Sequence, residues 1–158
     1  SSQAALKHPE LNIYTMIRLF FLTFIVSLSF FSCKPTKSDK DKERLDEVCN
    51  KFMDEFNAGK ISEAIQLLKE NSVISPAALD TLEIEIERKM NMLLPNYGKM
   101  ISYEFITEHK IKDFIVRRFY IQKFENFYLK FDFTLYKSST GWKITGFEFN
   151  EELLELFH

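Results

Sequence analysis

The hydrophobic period changes once along this chain, near Lys99, and that change limits it to folds in which helices precede strands. Before Lys99 the apolar residues recur every three or four positions. Leu45, Val48, Cys49, Phe52, Met53 and Phe56 fall at i, i+3, i+4, i+7, i+8 and i+11, which is one face of a helix. Asn57-Ala58-Gly59 predicts its end, with Gly59 at the C-cap. Ile61, Ala64, Ile65 and Leu68 predict a second helix, with Ser62 as its cap and Asn71-Ser72 as its close. Ser75-Pro76 opens a third, whose apolar side is Leu79, Leu82, Ile86, Met90 and Leu93, and Pro95-Asn96-Tyr97-Gly98 is expected to end it.

After Lys99 the period is two. Ile101, Tyr103 and Phe105 alternate with polar neighbours, and residues 114–124 are apolar at both parities, as in a strand covered on both faces. Phe127, Leu129, Phe131, Phe133 and Leu135 form the clearest alternating strand, and Trp142 and Ile144 begin another. Glu125-Asn126 and residues 138–141 read as the turns between them. Gly146 is expected to bulge the last strand so that Phe147 and Phe149 return to the inner face, and Asn150 to cap a short final helix over 151–157. The fold class is therefore α+β: three N-terminal helices packed on a curved antiparallel sheet of about four strands, cone-shaped, with a short C-terminal helix.

A chain of 158 residues, 46% apolar and 28% charged, suits one globular domain. Its net charge is −2 with the bases scattered among acids, which argues against a nucleic-acid partner. The two cysteines, Cys33 and Cys49, have neither metal-ligand nor CxxC spacing. No sequence pattern calls for a cofactor.

From Met16 the chain reads MIRLFFLTFIVSLSFFSCKPTKS. One positive charge, Arg18, precedes a 13-residue apolar run over 19–31, then small Ser32 and Cys33. The run is shorter than the roughly 20 residues a helix needs to span a bilayer, and a polar stretch follows it. Phe30, Phe31, Ser32 and Cys33 resemble the bacterial lipobox, with Phe30 in place of the usual Leu and Phe31 bulkier than usual. The resemblance implies cleavage before Cys33 and lipidation of that cysteine, where two or three acyl chains anchor firmly while one binds marginally. The expected organisation is an upstream extension over 1–15, a lipoprotein signal peptide over 16–32, the lipidated cysteine and a flexible tether over 33–44, and one α+β domain over 45–158. The expected location is the cell envelope, by preference its outer membrane. The alternatives for the apolar run are a buried helix or an uncleaved anchor.

Residues 43–149 resemble the nuclear transport factor 2-like superfamily. The resemblance is carried by FNAGKISEAIQLL at the first helix junction, LLPNYGK after the third helix, and the closing hairpin YKSSTGWKITGFEFN. It implies a fold whose open sheet face often forms a homodimer, and whose cone in some members holds a small ligand or an isomerase or dehydratase site. It assigns no catalytic position here.

The candidate pocket residues are Tyr103, Arg118 and Trp142. Arg117 and Arg118 are adjacent in a strand, so they must point to opposite faces, and one of them could meet an anion in the cone. The plainer expectation is that each pairs with a neighbouring acid. His109 is expected in a loop, Asp132 and Glu104 on the solvated parity, and Cys49 as a buried thiol. The expected function is a membrane-anchored, exported binding module. Its rival is a carrier of a small apolar or anionic ligand, or an isomerase- or dehydratase-like enzyme, with its site in the cone.

Overall fold

The structure is a computed structural model that describes residues 37–157. The segment before Lys37, with Cys33 and the whole of the export reading, lies outside the described residues. Three helices come first: α1 (Lys37–Asn57), α2 (Ile61–Asn71) and α3 (Pro76–Tyr97). Four strands follow: β1 (Met100–Ile111), β2 (Ile115–Phe124), β3 (Tyr128–Ser138) and β4 (Gly141–Asn150), then a 3-10 turn at Leu154–Leu156. The strands form one open, curved antiparallel sheet in the order β1-β2-β3-β4.

Alternation decides which face is covered. Tyr120 pairs with Phe131 and Phe131 with Phe149, so Val116, Tyr120, Leu129, Phe131, Phe133 and Leu135 share the face that carries the helices. The apolar stripe of α1 lies on them, with Leu45, Cys49, Phe52, Met53 and Phe56 fully buried. A parallel bridge from Ser72 to Ile144 ties the end of α2 to β4, and the Val73 N–H donates to the Ile144 carbonyl at 3.0 Å. The expected bulge at Gly146 is present: Thr134 faces Gly146, yet Leu135 faces Ile144.

Four local expectations are corrected. Residues 37–44, read as a tether, are the first turns of α1, and Lys42 there bonds Asp46 at 2.9 Å and Glu108 of β1 at 3.1 Å. Ser62 does not cap α2; Lys60 occupies the N-cap, and the Ser62 hydroxyl donates to Glu83 at 2.5 Å. α3 ends as expected inside the cluster over 95–98, but Phe127, read as the first residue of a strand, precedes β3 and lies in the turn before it. His109 is not in a loop. β1 runs on to Ile111, because register shifts at Met100/Ser102 and Phe105/Thr107 break the alternation that would have revealed its second half.

Gly98 is a position where conformation requires glycine. Its φ is 78°, its N–H closes α3 on the Leu94 carbonyl at 3.0 Å, and a Cβ there would lie 2.7 Å from Glu125 Cβ. We expect Gly98→Ala to lower the free energy of unfolding by about 2 kcal/mol, as read from denaturant midpoints. A change near zero would mean that the α3–β1 corner relaxes freely.

Candidate functional site

Beside its apolar stripe, α1 carries a polar one: Lys42, Asp46, Asn50, Asp54 and Asn57, at steps of four, four, four and three residues. This stripe faces β1 and β2. Arg118 Nη1 reaches Glu108 at 2.9 Å and Asp46 Oδ1 at 3.1 Å, the latter an ion pair by distance without the alignment of a hydrogen bond. Arg118 Nε and Nη2 donate to the Tyr120 hydroxyl at 3.3 and 3.1 Å, and that hydroxyl donates to Asn50 Oδ1 at 2.6 Å. Tyr103 donates to Asp54 Oδ1 at 2.7 Å, and Gln122 Nε2 to Asn57 Oδ1 at 2.8 Å. The guanidinium also lies 4.5 Å over the Phe105 ring.

Two of the three candidate pocket residues therefore meet in one seam, with Arg118 and Tyr103 on either side of Tyr120. Trp142 does not join them; it stands in β4, buried beneath Lys137 at 5.9 Å. The seam's electrostatics favour locking over proton transfer. Burial, then the Asp54 hydrogen bond, pushes the Tyr103 phenol up to about 12, and burial pushes the Cys49 thiol up to about 12 as well. Tyr120 is also raised, by burial against the opposing pull of Arg118. Burial would raise Glu108, but hydrogen bonds from Lys110 and Lys42 outweigh it and hold the carboxyl below its usual range. Neither phenol nor the thiol is poised to exchange a proton near neutrality.

Among the described residues, the opposite face of the sheet bears no α-helix. Arg117 points there, as the adjacency of the two arginines required, and pairs with Asp132 and, at 3.0 Å, with Glu155. Lys130 Nζ meets the same Glu155 oxygen at 3.1 Å. Phe119 lies beneath them, 5.1 Å from the Arg117 guanidinium and 5.0 Å from the His109 ring. Glu104 is solvated as expected, but Asp132 is only 2% exposed. Its outward parity is correct; Arg117, with the Glu155 that it pairs, lies over that part of the face. Burial raises the Asp132 carboxyl and Arg117 recovers only part of that, while its Oδ1 has no hydrogen-bond partner.

Next to this ion cluster is an apolar groove of about 550 Å³. Ile106 and Ile121 line it from the sheet, Phe127 from the β2–β3 turn, and Leu153, Leu156 and Phe157 from the segment after β4. By the β1–β2 turn, Ile111, Phe114 and Tyr136 also remain exposed. The sequence hinted at this face only through the mixed parity of β2, because lysine and aspartate in β3 look solvated until the partners from β2 and residue 155 are known.

Among the described residues no group of His, Cys, Asp or Glu is arranged to hold a metal ion, and no helix is long and apolar enough to cross a membrane. No family model, curated protein or solved structure matches this chain.

Proposed function

We propose that this chain is an exported, lipid-anchored binding module of the nuclear transport factor 2-like kind, with Cys33 as the anchor and the helix-free face of the sheet as the surface it displays. One observation carries the reading: the two faces are used in opposite ways. On the helix side the rings of Phe52, Phe131, Phe133 and Phe147 close the space, and the donors of Arg118 and Tyr103 are engaged within the protein. The other face combines exposed apolar side chains with a built ion cluster, which is the chemistry of a recognition surface. The rival reading, a carrier or enzyme with its site between helices and sheet, would need Arg118 or Tyr103 released from those bonds.

The anchor is tested by growing cells with an alkyne-tagged fatty acid. The unchanged protein should take up label and sediment with membranes, and Cys33→Ala should lose both; label retained by Cys33→Ala would refute the anchor. The displayed face is tested with a photo-crosslinking residue at Tyr136, on that face, or at Glu63, on the helix side. A discrete adduct from position 136 alone is expected, and an adduct of twice the chain's mass would identify a second copy as the partner. Adducts from Glu63 alone, or from neither, would refute the displayed face.

A further inference from the structure

Residues 151–157 are held on the sheet by side chains, in the manner of a bound peptide. Among the described residues their backbone N–H groups bond locally: Leu156 N–H to the Leu153 carbonyl at 2.9 Å, Phe157 N–H to the Leu154 carbonyl at 3.3 Å, and Glu152 N–H to the Asn150 side-chain Oδ1 at 3.0 Å. Two carboxylates place the segment: Glu151, which meets Lys89 of α3 at 2.9 Å, and, on the sheet, Glu155. One of the Glu155 carboxylate oxygens is gripped by Arg117 of β2 and Lys130 of β3 at 3.0 and 3.1 Å. The lysine is the telling partner, because its side chain is 2% exposed and a buried ammonium requires an anion. On either side of that carboxylate, Leu153, Leu156 and Phe157 line the apolar groove. The occupant is nonetheless loosely seated: Leu154 and Phe157 are about three-quarters exposed, and the Glu155 side chain is 45% exposed. Segments with so few buried contacts open locally at little cost.

We propose that the helix-free face is a recognition groove for a short acidic peptide, one whose carboxylate side chain lies between large apolar residues, and that Leu153–Phe157 is its resident occupant in cis, displaceable by a partner segment of the same chemistry. The carboxylate goes between Arg117 and Lys130, and the apolar flanks go against Ile106, Ile121 and Phe127. The resident segment competes with any partner, so affinity for an added peptide is reduced by the fraction of chains in which the groove is covered. This deepens the binding-module reading and rests on it.

The test uses the full chain carrying Leu153→Ala, Glu155→Gln and Leu156→Ala, with a fluorescein-labelled synthetic peptide EELLELFH, which has the sequence of residues 151–158. The variant should bind the peptide at least about tenfold more tightly than the unchanged chain does. The peptide with Gln at the place of Glu155 should bind the variant at least about tenfold more weakly. A folded variant that binds no better than the unchanged chain, or that ignores the Gln exchange, overturns the proposal. Should the variant not fold, the unchanged chain decides. At millimolar peptide carrying benzoylphenylalanine in place of Phe157, adducts should map to Ile106, Ile121 or Phe127, and adducts elsewhere or none would overturn the proposal. A chain that crosslinks a partner from Tyr136 yet takes no peptide fails on this point alone, and leaves the broader reading standing.

Discussion

Phe52→Ala should unfold at a free energy about 4 kcal/mol lower than the unchanged chain. The side chain is fully buried, and its ring lies 4.9 Å from that of Phe147, 5.3 Å from Phe133 and 6.3 Å from both Phe56 and Phe131. Those rings sit on three elements, α1, β3 and β4, and the strands are pinned by their ladder. They cannot collapse far into the space that the mutation leaves, so the lost transfer energy is joined by a cavity term. Ile84→Ala, on an α3 residue that is 66% exposed, should stay within about 0.5 kcal/mol and serves as the control. Denaturant titrations at constant m-value measure both. A Phe52→Ala loss under about 2 kcal/mol would mean that α1 can resettle on the sheet, and that the helix side is not a closed layer.

What was legible in the sequence and what was not follow from the range of the interactions concerned. The stripe from Leu45 to Phe56 and the alternation from Leu129 to Leu135 are local patterns with one buried face each, and both elements form where the patterns lie. The bulge at Gly146 was legible because the apolar parity changes across it. Residues 37–44 were not legible as helix. Their composition is that of a solvated linker, and what holds Lys42 there is Glu108, 66 residues away in β1. The second half of β1 was hidden by its own bulges, which moved His109 from an expected loop to a place beside Phe119. At the site, the divergence of Arg117 and Arg118 followed from strand geometry alone. Their partners did not: the polar stripe of α1 has helical spacing and was visible in principle, but only the register of β1 against β2 brings Glu108 opposite Arg118. Lys130 and Asp132 show the limit most plainly, since a charged residue on the outer parity is buried only if something distant covers it.

Arg118→Met should cost about 3 kcal/mol at neutral pH, the scale expected when one partner of a buried ion pair is removed. Its side chain is 9% exposed, and without it Asp46 keeps only a share of Lys42, Glu108 keeps Lys42 and Lys110, and the Tyr120 hydroxyl loses two donors. If the cost is that of stranded carboxylates, adding Glu108→Leu to Arg118→Met should recover about 1 kcal/mol, whereas independent losses would add. The acid limb gives a separate check. Glu108 is held below its ordinary value, so its contribution is complete above the unfolded carboxyl pKa, about 4.3, and is lost as pH falls through the lower folded value. The stability gap between the unchanged chain and Glu108→Gln should therefore be widest near pH 6 and narrow below about pH 4.3. A gap that widened towards acid would reverse the sign and mean that Glu108 does not stabilise the fold as a carboxylate. The consequence for function is direct. If Arg118→Met weakens the fold while a chain that is still folded keeps its adduct from Tyr136, then the arginine clamps α1 to the sheet and the helix-free face does the binding. If the adduct vanishes from a folded Arg118→Met chain, the seam takes part in recognition, and the two faces are not independent.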